Sequence, residues 1–313
     1  MKTYAFGVDV GGTTVKLGLF ATTGELLEKR EFSTRTEEGG VHILEDVAAA
    51  VDAVLASRKI EKTDVEGVGA GVPGPVSANG TVFRCVNLGW GVFNVEQRLL
   101  ELTGLRARAG NDANVAALGE MWQGGGKGRR NLVMVTLGTG IGGGVILDGR
   151  ILPGVNGAAG EIGHIPVYED DDEVCGCGKR GCLEQYASAN GIVRLARRYL
   201  EAHPDLPSTL REMDRYTSKE IFEEAGRGDA AAQAVVEEFG KLLGRGLAGV
   251  AAVADPEVFV IGGGMAKAGV PLLEVLRKYY RHFAFHAQRE TEFCLAELGN
   301  DAGIYGGVRM LLE

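Results

Sequence analysis

The densest chemistry in the chain lies between His164 and Cys182, where Cys175-Gly-Cys177-Gly-Lys-Arg-Gly-Cys182 follows the histidine. One imidazole and three thiolates make a donor set suited to a tetrahedral structural Zn2+, and the glycines let so short a loop fold around an ion. Buried thiols packed as small apolar groups are the plain alternative, but three glycines among these eight residues leave little core to bury them in. Two carboxylates flank the cluster, Glu161 before His164 and Glu184 after Cys182. Carboxylates at random positions sit on the surface. Held by a metal-tied loop, this pair could instead accept hydrogen bonds from sugar hydroxyls in fixed directions.

Glycine-rich turns supply a second kind of chemistry. Asp9-Val10-Gly11-Gly12-Thr13-Thr14 puts a carboxylate at the end of an apolar run, beside glycines whose bare backbone N–H groups can approach a phosphate, with Lys16 close behind. A tight hairpin turn accounts equally well for this segment taken alone. The second turn, Gly138-Thr139-Gly140-Ile141-Gly142-Gly143-Gly144, contains the dinucleotide spacing Gly-x-Gly-x-x-Gly. The residues after it, Val145 to Ile151, spell a β-hairpin and not a helix, so a nicotinamide site is excluded. A phosphate-binding P-loop is excluded as well, since Gly126-Lys127 is succeeded by Gly128. A third cluster, Gly262-Gly263-Gly264, suits close approach of backbone to a flat nucleoside, or simply a strand-to-helix turn.

Asn111-Asp112-Ala113-Asn114 lies where a strand gives way to a helix, and a carboxylate there is expected as an N-cap on statistics alone. Asp112 is also the residue best placed to orient and deprotonate an attacking hydroxyl in phosphoryl transfer.

The elements that must position these residues are legible from periodicity. Strands are expected at Tyr4 to Val10, Val15 to Phe20, Leu26 to Phe32, Val65 to Val72, Leu132 to Leu137, Val258 to Ile261 and Glu292 to Leu298, with a hairpin over Val145 to Ile151 around Asp148-Gly149. Helical spacing covers Val41 to Ser57, Asn114 to Trp122, Tyr186 to Ala202, Asp229 to Ala254, Val270 to Phe283 and Gly303 to Leu312. The grammar of strand, glycine turn, strand occurs once in each half, which suggests an internal duplication whose two parts clasp a polyphosphate. The acidic run Glu169 to Glu173 reads as a solvated loop.

At 313 residues the chain exceeds the roughly 250 to 300 at which one core stops growing, so two lobes are expected. A net charge of −9, with 45% hydrophobic and 24% charged residues, describes a globular protein without the basic field that nucleic acid or an anionic membrane would require. With no secretion signal or membrane-spanning segment, a cytoplasmic location is expected, and clustered cysteines in that reducing setting favour metal over disulfide.

Taken in order, DVGGTTVKLGLF, VPGPV, NLGW, NDANVAALGEMW, LGTGIGGGVI, GAAGEIGH, CGCGKRGCLE and LGNDAGIYGG resemble the ROK family of bacterial sugar kinases and repressors, and within it the ATP-dependent glucokinases. The likeness runs through nearly the whole chain. It implies an α/β, two-lobed, actin-like ATPase fold of the ribonuclease H-like kind, with an interlobe cleft. The small lobe would comprise residues 1–111 plus 300–313, and the large lobe, residues 112–299, would carry the zinc. It implies ATP-dependent phosphorylation of glucose at its 6-hydroxyl with ATP, Mg2+ and structural Zn2+, by a homodimer without nucleic-acid or membrane partners. By the same resemblance Asp112 is the general base, and Asn87, Asn111, Glu161, His164 and Glu184 hold sugar hydroxyls. His164, Cys175, Cys177 and Cys182 hold zinc. Asp9, Gly11, Gly12, Thr13, Thr139 and Gly140 face the phosphates and magnesium, and Gly263 the nucleoside. The first turn reads GGTTVK where many members have GGTK or GGTN, which leaves the part played by Lys16 open.

Another hexose, such as mannose, fructose or an N-acetyl hexosamine, fits the same motifs, and so does polyphosphate as donor. A sugar-sensing regulator without turnover is opposed by Asp112 and both phosphate turns. A DNA-binding helix-turn-helix like that of the family's repressors finds no room before the strand at Tyr4. Loss of zinc is expected to reach sugar affinity far more than ATP affinity, the glycine turns being taken as remote from the cysteine loop.

Overall fold

A computed structural model of the chain describes residues 2–83, 85–169 and 171–313. β1 (Tyr4–Val10) and β2 (Thr14–Ala21) pair antiparallel, with Val10 opposite Val15 across the first glycine turn, and β3 (Leu26–Ser33) extends the ribbon. α1 (Ile43–Arg58) leads to β4 (Val65–Val72), which lies parallel to β1. The short strands β5 (Thr81–Val82) and β6 (Phe93–Asn94) pair with each other, and α2 (Val95–Thr103) returns the chain to β7 (Ala107–Asn111), parallel to β4, from which α3 (Asp112–Gln123) departs.

β1 is apolar on both faces because both are covered. Phe6, Val8 and Val10 join Val47 and Val51 of α1 in one core, while Ala5 belongs to a second core with Ile304, Val308 and Leu311. β3, at the sheet edge, alternates half-buried with exposed charged residues instead.

β8 (Leu132–Leu137), β9 (Ile141–Leu147) and β10 (Arg150–Ile151) come next in the chain. After them lie α4 (Glu184–Ala187), α5 (Ala189–Ala202), α6 (Ser218–Arg227), α7 (Ala230–Ala254), β11 (Val258–Gly262), α8 (Val270–Phe283), β12 (Glu292–Leu295) and α9 (Ala302–Leu311). The two large sheets run β3-β2-β1-β4-β7 and β10-β9-β8-β11-β12. Counted in chain order within each sheet, both are third, second, first, fourth, fifth, so the recurrence seen in the sequence is a recurrence of topology.

The chain divides into two compact units, one of residues 1–130, 144–160 and 297–313, the other of residues 131–143 and 161–296. In the first unit α9 is admitted against the sheet and α3 by glycine alone. A Cβ on Gly7 would lie 1.8 Å from the Ile304 carbonyl oxygen, one on Gly69 1.8 Å from that of Gly307, and one on Gly306 1.6 Å from that of Val115. Among the described residues no helix is long and apolar enough to cross a membrane.

Several sequence expectations are corrected. The hairpin around Asp148-Gly149 is present, with Leu147 opposite Arg150, but its first strand begins at Ile141 and takes Gly142 to Gly144 as strand residues. The helix expected from Tyr186 to Ala202 is two helices broken at extended Ser188, whose hydroxyl caps α5 through the Gly191 N–H at 3.0 Å. β12 stops at Leu295 and not at Leu298. α2 and α6 were not anticipated, although Thr217 and Glu220 form a capping box at the start of α6 that the sequence displays. The acidic run is not simply solvated: Asp171 is buried and binds Tyr186, Arg194 and Arg198, while Asp170 lies outside the described residues.

Candidate functional site

In the first unit the turn between β1 and β2 is closed by the Gly11 N–H donating to the Thr14 carbonyl at 3.0 Å, and is braced from just beyond β3, where the Thr34 hydroxyl donates to the Gly11 carbonyl at 2.7 Å. Gly12 and Thr13 are exposed at its tip. Asn87 abuts this tip, its Cβ 4.0 Å from where a side chain on Gly12 would begin. Burial raises the Asp9 carboxyl above its ordinary range; the Lys16 ammonium, 3.8 Å away, opposes this, while the negative charges of Asp112 and Asp301 add to it. Lys16 also donates to the Asn300 carbonyl at 2.7 Å, so it bridges the turn to the segment that enters α9. Gly303 lies against Asp9, since a Cβ there would be 2.7 Å from Asp9 Cγ.

At the start of α3 the cap is Asn111 and not Asp112. Asn111 Oδ1 accepts from the N–H groups of Ala113 and Asn114 at 3.1 and 3.2 Å, and its amide donates to the Gly74 carbonyl and to Asp112 Oδ1 at 3.2 and 3.0 Å. Asp112 is half-buried, and its Oδ1 also accepts from the Ala113 N–H at 2.8 Å. The sequence offers two good capping residues in a row, and the backbone picks the first, because a residue already inside the helix cannot reach back over its N-terminus.

A different unexpected carboxylate supports this helix from its other end. Glu120, fully buried, accepts from the N–H groups of Gly125, Glu297 and Leu298 at 2.9, 3.0 and 2.9 Å, tying the end of α3 to the segment that precedes Asn300 and Asp301. No spacing signal marks it, because its partners are backbone groups and two of the three are distant in sequence.

In the second unit His164, Cys175, Cys177 and Cys182 converge, with one ligand atom from each all within 4.8 Å of one another. His164 Nδ1 is 3.7 Å from Cys175 Sγ, and Cys177 Sγ is 3.6 Å from Cys182 Sγ. A tetrahedron with metal–sulfur bonds of about 2.3 Å has edges of about 3.8 Å, which these two separations match, and the donor set as a whole suits zinc. Burial pushes the Cys175 thiol up to about 12, whereas the Lys179 backbone N–H draws Cys177 down; a dication is what makes such a group of thiols hold negative charge together. The second imidazole nitrogen of His164 faces Glu161, Nε2 to Oε2 at 3.8 Å.

Glu184 is shared between this cluster and the second glycine turn. Its Oε1 accepts from Cys175 Sγ at 3.0 Å and stands 3.5 Å from His164 Nδ1, while its Oε2 accepts from the Ile141 N–H at 3.4 Å. The turn is closed by the Gly138 N–H donating to the Gly140 carbonyl at 3.0 Å, with Thr139 exposed at its tip. The expectation that the glycine turns are remote from the cysteine loop is therefore wrong for this one: Gly140 and Ile141 lie beside Glu184.

Gly263 takes φ +82°, and a Cβ there would lie 2.5 Å from the Leu137 carbonyl oxygen, so the turn from β11 against β8 requires glycine on its own account. Beyond it opens a cavity of about 400 Å³ lined by Lys219, Phe222 and Glu223 of α6 with Gly264, Met265 and Pro271. Its lining is mostly apolar with Lys219, Glu223 and Lys267 as the charged members, and the sequence reading missed it because it missed α6.

Comparison with known proteins bears on what this chemistry serves. The glucokinase of Halalkalibacterium halodurans is 43% identical over 306 residues, covering 96% of this chain and 92% of that protein. A ROK family glucokinase from Streptomyces griseus, solved in complex with glucose and AMPPNP, is 34% identical with a TM-score of 0.74 and 98% of each chain covered. The ROK hexokinase from Thermus thermophilus is 32% identical, TM-score 0.77, with 98% of this chain and 97% of that one covered. The actin-like ATPase fold implied by the motifs is the fold of these structures and of this chain. With the ROK family model matching residues 5–313, nearly end to end, the chain belongs to the ROK family.

Proposed function

We propose that the protein transfers the γ-phosphoryl group of ATP to the 6-hydroxyl of glucose, giving glucose 6-phosphate and ADP, with Asp112 as general base. Hexose kinase activity follows from full-length kinship to glucokinases at 43% and 34% identity. The observation that carries the choice of base is the separation of roles at the start of α3, where Asn111 caps the helix and its amide orients the Asp112 carboxylate. The sugar oxygen attacks the γ-phosphorus, the bond to the ADP oxygen breaks, and the hydroxyl proton passes to Asp112.

Asn87, Asn111, Glu161, His164 and Glu184 hold the remaining sugar hydroxyls in this reading. The backbone N–H groups around Gly11, Gly12, Thr13, Thr139 and Gly140 hold phosphate oxygens. Asp9 is the carboxylate that would hold Mg2+, which when bound offsets charge on the transferring phosphoryl group. Zinc is structural. The nucleoside lies near Gly263, and the cavity beside Gly264 and Met265 has the size and apolar lining for its base.

The same reading takes the working form as a cytoplasmic homodimer without nucleic-acid partners, and the net charge of −9 opposes binding to a nucleic-acid backbone. The test is a panel of hexoses offered with ATP and with polyphosphate, the sugar phosphate being detected by mass. Glucose with ATP should give the highest kcat/KM. Binding of hexose with no phosphorylated product from any donor would replace the kinase with a sugar-sensing regulator.

A further inference from the structure

The zinc loop and the second glycine turn meet at three places, all inside one unit. Gly163, next to His164, leaves no space toward the turn: a Cβ on it would lie 2.4 Å from the Ile141 carbonyl oxygen. Glu184, two residues after Cys182, takes the Ile141 N–H on Oε2 and fills the position that a side chain on Gly140 would need, 2.5 Å from that same oxygen. Ala189, the first residue of α5, donates its N–H to the Gly138 carbonyl at 2.8 Å. Both ends of the turn are thus gripped by segments that the ligands His164 and Cys182 anchor.

A run with glycine at 138, 140, 142, 143 and 144 has little conformational preference of its own, so ordering it around a phosphate costs entropy unless something else has already ordered it. We infer that the zinc loop positions the second phosphate turn, so that metal occupancy sets nucleotide affinity as well as sugar affinity. Gly163, Glu184 and Ala189 act as positioning residues in this arrangement. The inference rests on the reading of Thr139 and Gly140 as phosphate-holding.

Ala189→Pro tests it with little collateral change. Proline is tolerated at the first position of a helix, and Ser188 before it is already extended at φ −92° and ψ 176°, as a residue preceding proline must be. What the substitution removes is the N–H that Gly138 accepts. The variant should keep about one zinc per chain and bind glucose within about twofold of wild type, but bind a non-hydrolysable ATP analogue about 3- to 10-fold more weakly, the scale of one hydrogen bond.

Chelation of zinc from the unmodified protein supplies the second measurement. Amide hydrogen exchange over residues 138–144 should accelerate about tenfold or more and return on adding zinc back. Unchanged exchange over these residues in zinc-free protein, with ATP-analogue affinity intact, overturns the inference. If the protein phosphorylates no hexose, the kinase reading fails by itself, and the zinc dependence of exchange in the turn still decides whether the loop positions it.

Discussion

The Asn111 amide donates to Asp112 Oδ1 at 3.0 Å while the other end of the same side chain caps α3. In the proposed function helix capping falls to Asn111 and proton transfer to Asp112. Asp112→Asn should lower kcat by roughly 100- to 10,000-fold, the scale for losing a general base, with glucose affinity and melting temperature nearly unchanged. Asn111→Ala should cost about 1 kcal/mol of stability and, since its amide orients Asp112 and holds sugar in the proposed function, should weaken glucose binding as well. Steady-state kinetics beside thermal melts read both, and near-normal turnover in Asp112→Asn would refute the assigned base.

Asp9 carries a pH signature of defined sign. Its carboxyl binds a proton more tightly in the folded protein than in the unfolded chain, so its contribution to stability is fully present below the ordinary value of 3.8 and is lost as pH rises through the raised one. Asp9→Asn removes the half-buried charge and should raise the melting temperature at neutral pH, with a gain that shrinks towards pH of about 4. The same variant should lose magnesium-dependent nucleotide binding. Equal melting temperatures for the two proteins at neutral pH would contradict the assigned effect of burial.

Asp171 has the opposite sign. Burial alone would raise its carboxyl, but bonds from Tyr186, Arg194, the Glu173 N–H at 3.1 Å and Arg198 at 3.0 Å outweigh this and hold it well below the carboxylate range. Its stabilisation is present above the ordinary 3.8 and is lost as pH falls through the depressed value. Asp171→Asn should destabilise by roughly 3 to 5 kcal/mol, since it leaves Arg194 buried with only the outer carboxylate of Glu173. Denaturant titrations near neutrality measure this, and a loss well under about 1 kcal/mol would show the network to be dispensable.

Zinc content should be about one per chain by elemental analysis. Structural zinc supplies roughly 10 to 16 kcal/mol in small peptides, but the second unit has its own core of Phe239, Leu243, Phe259 and Tyr280, so Cys177→Ser should fold with a local defect. Its glucose affinity should fall, and its ATP affinity should fall with it. Glucose binding equal to wild type in zinc-free Cys177→Ser would sever metal from sugar recognition.

Glu120→Gln tests the buried carboxylate at the far end of α3. Both carboxylate oxygens accept backbone N–H groups, and glutamine must turn an NH2 towards one of them, so the change should cost roughly 1 to 3 kcal/mol in spite of equal size. Urea unfolding measures the loss. A neutral outcome would mean that the Glu297–Leu298 segment is held without this residue.

Much of this protein was legible before folding because its constraints are local. A metal ion demands donors of a given type within a short loop, and His164 with Cys175, Cys177 and Cys182 shows them; a turn that must approach an anion demands glycine, and both turns show it; β1 and β8 betray themselves by apolar runs. Even the doubling of the sheet follows from a repeated local grammar. The tertiary structure decided matters between groups far apart in sequence. Glu120 finds the Glu297 and Leu298 N–H groups across 177 and 178 residues, and Asp171, in a loop, finds Arg194 and Arg198 on α5. Glu184 finds Ile141, which brought the zinc loop to a turn that sequence distance had made look remote. A carboxylate reads the same in sequence whether it is solvated or buried; only the fold chooses which backbone N–H groups stand in for its water.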